Sequence, residues 1–136
     1  MNIINKLAII GTTAILLTSC ASPMMSDKGV SFVEPKDGTT VPSEFKVVMM
    51  VKGMTVKPAG ELVDGTGHHH LLIDTTPIAS GDVIPATEKH VHFGKGQTET
   101  SVKLAPGKHT LQLQFANGAH QSYGPAMSST IVVNVQ

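Results

Sequence analysis

From Val30 onward the apolar residues come in short runs of period two, broken by Gly and Pro roughly every ten residues. No stretch sustains the i, i+3, i+4, i+7 spacing of an amphipathic helix. The pattern predicts an all-β domain, an Ig-like antiparallel β-sandwich of about seven strands. The expected strands are Val30 to Glu34, Phe45 to about Met54, His69 to Asp74, His90 to Phe93, Thr98 to Leu104, His109 to Phe115 and Ser129 to Val135. Residues 57–67 read as a loop, and 75–88 as a long connection carrying at most one weak strand. Ala105-Pro106-Gly107-Lys108 reads as the turn of a hairpin joining the strands on either side of it. Val102 and Leu104 would then face Leu111, Leu113 and Phe115, with Gln112 and Gln114 on the other side.

Strand alternation sorts the histidines. In GTGHHHLLID, residues 65–74, His68 and His70 share one face with Leu72, and His69 shares the other with Leu71 and Ile73. Both faces turn apolar, so this strand is expected to be central, with its histidine end at the rim of the sheet. In His90-Val91-His92-Phe93, Val91 and Phe93 are the core residues, which leaves His90 and His92 exposed or facing a groove.

The first twenty residues change the picture of where the chain lives. One charge, Lys6, precedes an apolar stretch from Leu7 to Leu17, the layout of a secretory signal and too short for a comfortable membrane span. It ends in Leu17-Thr18-Ser19-Cys20, which resembles the lipobox of bacterial lipoproteins. The expected organisation is a signal peptide over 1–19, a lipidated Cys20 and tether over 20–29, and one β-sandwich domain over 30–136. Ala21 after the cysteine implies, by the same resemblance, the outer membrane facing the periplasm. The membrane is then a partner through the N-terminal lipid. With the only cysteine lipidated, no disulfide can form, and packing and sheet hydrogen bonds must hold the domain.

The charge balance is even, with 10 Lys+Arg against 10 Asp+Glu and no arginine, which excludes the concentrated basic footprint of a nucleic-acid binder. Few aromatics leave little surface for stacking sugars or bases. No Gly-x-Ser-x-Gly turn is present and Cys20 is committed elsewhere, so no catalytic nucleophile is visible and no enzyme is expected.

The chemistry that remains is imidazole. His-x-His occurs twice, at His68/His70 and His90/His92, and His120 sits in a loop after a strand. Two ligands at i, i+2 on one strand plus others from neighbouring elements suit copper or zinc. The candidate ligands are His68, His70, His92 and His120, with His69, His90, Glu99, Met54 and Met127 as secondary candidates. Asp74 or Glu88 could orient an imidazole through its second nitrogen. His109, beside the Pro106-Gly107 turn, reads as structural or solvated. A second reading stands beside the metal: the histidines form a hydrogen-bonded network in a structural or interaction domain that meets another envelope protein or a glycan.

Two resemblances bear on this. KHVHFGKG resembles the His-Val-His strand of copper-zinc superoxide dismutases, but the further spaced histidines, the zinc-binding aspartate and the disulfide of that family are missing. VEPKDGTTV, VKGMTVKPAGELVDGTGHHHLLID and HVHFGKGQTETSVKLAPGKHTLQLQFANGAH, in order, resemble the domain-of-unknown-function 4399 family of bacterial exported proteins over about residues 30–136. The resemblance carries no activity. It implies that the His run, His92, Gln97, Thr98, Glu99 and His120 belong to the family's pattern.

Overall fold

A computed structural model describes residues 27–136. The expected signal peptide, Cys20, Met24 and Met25 lie outside the described residues. Nine strands form: β1 Gly29–Glu34, β2 Thr40–Val41, β3 Glu44–Lys52, β4 Thr55–Val56, β5 Thr66–Ile73, β6 His90–His92, β7 Glu99–Lys103, β8 Gly107–Ala116 and β9 Ser128–Val135. A 3-10 turn, Pro125–Met127, leads into β9. No helix among the described residues is long and apolar enough to cross a membrane.

The strands make a three-stranded sheet, β1-β3-β7, and a six-stranded sheet, β2-β9-β8-β5-β4, with β6 also paired to β5. The excess over the expected seven comes from β2 and β4. Each has two residues, too few to show a period, and each runs parallel to its neighbour, so the sandwich is mixed rather than wholly antiparallel.

The core lies between the sheets. Phe45, Val47, Met49 and Val102 from the smaller sheet meet Leu71, Ile73, Leu111, Leu113, Phe115, Ile131 and Val133 from the larger. Lys46 and Met50, at alternate positions of β3, are exposed as the alternation requires.

The expected hairpin across residues 105–108 does not form. β7 pairs with β3, Phe45 opposite Val102, whereas β8 pairs with β5 and β9. The chain crosses from one sheet to the other at this point, helped by Pro106, which has no N–H to place, and by Gly107 at φ 133°. Alternation had identified the inward residues correctly, but it does not say which strand is the neighbour. Val102 and Leu113 meet across the core instead of along one sheet.

The larger sheet also has a covered outer face. The connection over residues 75–89 folds back onto it through Ile84 N–H to His120 O at 2.9 Å, Gly81 N–H to Ser122 O at 2.9 Å and Ser122 Oγ–H to Ile78 O at 3.2 Å. Leu72, Ala116, Gln112 and Gln114 on this face are buried, as is Ile84 of the connection itself. Gln112 and Gln114, which the alternation would place in water, are therefore enclosed. Gln114 directs its amide N–H groups to the carbonyls of Phe115, Gly124 and Met127 at 3.1–3.3 Å.

Candidate metal centre

β5 is central, as its two apolar faces require. It lies between β8 on one side and β4 and β6 on the other. Its histidine end is not an open rim: His68, His69 and His70 are all buried. In register, His70 lies opposite His92 on β6 and opposite Gln114 on β8. Facing residues of paired strands share a side, so His68, His70 and His92 all rise from the outer face of the larger sheet.

His120 reaches the same point from the loop after β8. Asn117 Oδ1 accepts the N–H groups of Ala119 and Gln121, both at 3.0 Å, and His120 N–H bonds Asn117 O at 2.9 Å. This tight turn holds His120 at φ 64°, a left-handed conformation that non-glycine residues rarely adopt. Its ring stands edge-on to His92 at 4.6 Å and to His68 at 5.1 Å between centroids.

The nitrogens converge. His68 Nε2 lies 3.0 Å from His70 Nε2, 3.1 Å from His120 Nδ1 and 3.2 Å from His92 Nε2. One nitrogen from each of the four rings falls within 4.8 Å of the others, and among the described residues no carboxylate or thiol joins the group. A ring nitrogen carries either one N–H or one lone pair, so hydrogen bonding can satisfy at most one of the three contacts at His68 Nε2 in full. The far nitrogens, Nδ1 of His68 and of His70, are buried with no partner among the described residues.

Burial keeps the His68, His70 and His92 rings neutral. Burial lowers the His68 imidazole to about 4, helped by the nearby His92 and His120, and burial lowers His70 to about 3, helped by His68. His92 is lowered in the same way. At neutral pH these rings offer lone pairs, which metal coordination requires.

Ligand nitrogens bonded at about 2.0–2.1 Å sit about 3.3 Å apart around a tetrahedral ion. Neighbouring ligands of a square-planar ion sit about 2.9 Å apart. The separations at His68 fall between these values. An all-imidazole set suits copper, zinc or nickel, and offers nothing to calcium or magnesium, which take oxygen ligands.

The secondary candidates go elsewhere. His69 faces the core, edge-on to Phe115 at 5.0 Å between centroids, with neither ring nitrogen partnered among the described residues. His90 bonds Thr87 Oγ at 2.7 Å through Nδ1. Glu99, on the smaller sheet, pairs with Lys46 at 2.9 Å. Met127 belongs to the hydrophobic core and Met54 packs against it. His109 is structural, bonded to Asp74 Oδ2 at 2.6 Å and Ala105 O at 2.8 Å, so Asp74 orients an imidazole outside the cluster. Gln97 caps Lys95 N–H, and Thr98 O accepts Met49 N–H. Sequence reasoning missed Asn117 and Gly94, beside which the His92 ring lies. An Asn-Gly before a loop histidine was the available signal for the first.

A family model described as a domain of unknown function (DUF4399) matches residues 47–136. The chain belongs to that family. The match holds all four converging histidines and leaves β1 and β2 before it. No curated protein matches the chain. A solved structure, the endo-beta-1,4-mannanase from Thermotoga petrophila, is similar at 15% identity and a TM-score of 0.48. The similarity covers 80% of this chain and 20% of the mannanase chain, so this chain spans about a fifth of that protein's length. A likeness at that level carries no argument about fold details or function.

Proposed function

We propose that this domain is a binding module for a divalent transition metal, copper or zinc, held by His68, His70, His92 and His120. The observation that carries the reading is the crowding at His68 Nε2, with three other imidazole nitrogens at 3.0–3.2 Å. A hydrogen-bonded network would leave most of those contacts without a proton between them. A metal ion uses every converging lone pair at once. The N-terminal segment, read as a lipobox signal, makes the module a lipoprotein of the cell envelope. Its role there would be to buffer the metal or pass it to an envelope partner.

The test is titration of the full chain, purified in detergent, with Cu(II) and Zn(II) under chelator competition, following bound metal per chain. Saturable one-to-one binding is expected, and it should be lost in His70→Ala/His92→Ala while the fold persists. Binding in that variant equal to the unsubstituted chain would overturn the assignment.

A further inference from the structure

We infer that Gly94 is a positioning residue for the metal centre, present so that the His92 ring can reach the other three imidazoles. The inference rests on the metal-binding reading. His92 is the one exposed member of the four, carried on the three-residue strand β6. An imidazole there has water on one side, so something must favour the inward position. Its ring lies over the Cα of Gly94. A β-carbon at residue 94 would sit 2.6 Å from His92 Nε2 and 3.2 Å from its Nδ1, and would overlap Cε1.

Backbone conformation does not demand glycine at this position. The left-handed glycine of the same turn is Gly96, at φ 80°, whereas Gly94 is not among the positive-φ glycines. An alanine at 94 therefore meets no backbone penalty of that kind. The three atoms its β-carbon would meet first all belong to the ring of His92. The local chain is also fixed from both sides: Gly94 O accepts Ala59 N–H at 2.9 Å, and Phe93 N–H bonds His69 O at 3.1 Å. The backbone cannot retreat cheaply, but an exposed side chain can swing away. The ring would leave its place 3.2 Å from His68 Nε2 and its stack on His70, 5.0 Å between centroids at 29°.

The two glycines of HFGKG thus do different work. Gly96 serves the turn, and Gly94 serves the ligand. A residue with a purely structural role would change stability when substituted. A residue that only makes room for a flexible ring should change the metal site and leave the apo fold alone.

The experiment compares the unsubstituted full chain with Gly94→Ala, His92→Ala and the double variant, all in detergent. The readouts are Cu(II) and Zn(II) affinity by chelator competition, nitrogen-ligand count by electron paramagnetic resonance of the Cu(II) form, and thermal unfolding of the chelated protein. Displacing an orienting contact typically weakens a metal site 10–100-fold, so about that loss is expected in Gly94→Ala. It should come with one fewer nitrogen ligand and an unchanged unfolding temperature. The double variant should bind no more weakly than His92→Ala alone, because the two changes act through one ring. Full affinity in Gly94→Ala, or additive losses in the double variant, would overturn the inference while leaving the metal reading intact. No stoichiometric binding by the unsubstituted chain would overturn both. If Gly94→Ala fails to fold, the double variant decides: with the ring gone it must fold as His92→Ala does, and a failure there removes the ring as the reason for glycine.

Discussion

Replacing His69 with leucine should make the metal-free domain more stable, and more so in acid. The His69 ring is buried in the apolar core with neither nitrogen partnered among the described residues. A buried polar group without a hydrogen bond costs about 1–3 kcal/mol. Leucine removes that cost at similar size. It gives up the edge-on contact with Phe115, which offsets about 0.5–1.5 kcal/mol. The net gain at pH 7 is roughly 1 kcal/mol, or about 3–6 °C in unfolding temperature for a domain of this size. Proton linkage adds to it. Burial lowers the native His69 imidazole from its ordinary 6.5 to about 4. As pH falls below 6.5 the unfolded chain takes up a proton that the native state refuses, so this histidine withdraws stability until pH falls to about 4. Between pH 7 and pH 5.5 that loss is about 1 kcal/mol, and leucine does not suffer it. Thermal unfolding of both proteins with chelator, followed by circular dichroism at the two pH values, measures the gap. A variant less stable at pH 7, or a gap that stays constant between the two values, would refute the reasoning. Metal affinity should be unchanged, because His69 points away from the other imidazoles.

Other consequences can be checked alongside. His68 and His70 are lowered by burial to about 4 and about 3, so with His69 they should make the chelated protein lose stability as pH falls below 6.5, by up to about 4 kcal/mol per pH unit. A flat stability curve from pH 6.5 to 4.5 would contradict their burial. Zinc at a hundred times its dissociation constant should raise stability at pH 7 by up to about 2.7 kcal/mol, reversed by chelator, and no shift in unfolding temperature would count against the site. Asn117→Ala removes the acceptor for the Ala119 and Gln121 N–H groups and frees His120. It should cost about 1–3 kcal/mol of stability and weaken copper binding about tenfold or more, as read by chemical denaturation and chelator competition. His109 works in the opposite sense: its hydrogen bond to Asp74 raises its pKa, so its contribution is present below pH 6.5 and lost as pH rises through the raised value. His109→Ala should therefore destabilise the protein more at pH 6 than at pH 9.

Much of the site was legible because strand alternation is a local rule. Three consecutive histidines must present two rings to one face and one to the other, whatever the partners. Both faces of β5 being apolar required neighbours on each side and cover above. What alternation cannot carry is which strand lies next to which. That is why Ala105-Pro106-Gly107-Lys108 read as a hairpin turn when it is a crossing between sheets. The same limit hid the fate of Gln112 and Gln114. Their alternation with leucines marks a side of β8 but does not say that the 75–89 connection lies over it. His120 was found as a loop histidine, yet its left-handed backbone depends on Asn117 and on Gly60 N–H bonding Gly118 O at 2.9 Å, a contact between distant loops. Gly94 was invisible for a related reason: its role is set by a side chain two residues earlier folding back over it.

The pairing of β2 with β9 bears on the order of events during synthesis. Gln136 N–H, from the last residue, bonds Val41 O at 3.0 Å, and Gly38 N–H bonds Val132 O at 2.7 Å. β9 is thus tied to the segment around β2. A chain made from its N-terminus therefore has β5, β6 and their imidazoles long before β9 exists to flank β8. On the metal-binding reading, an ion bound by those histidines before β9 is made would favour the unfolded chain. Pairing between such distant segments is also slow to nucleate. Refolding should accordingly go faster and more cleanly when metal is withheld until β9 is in place.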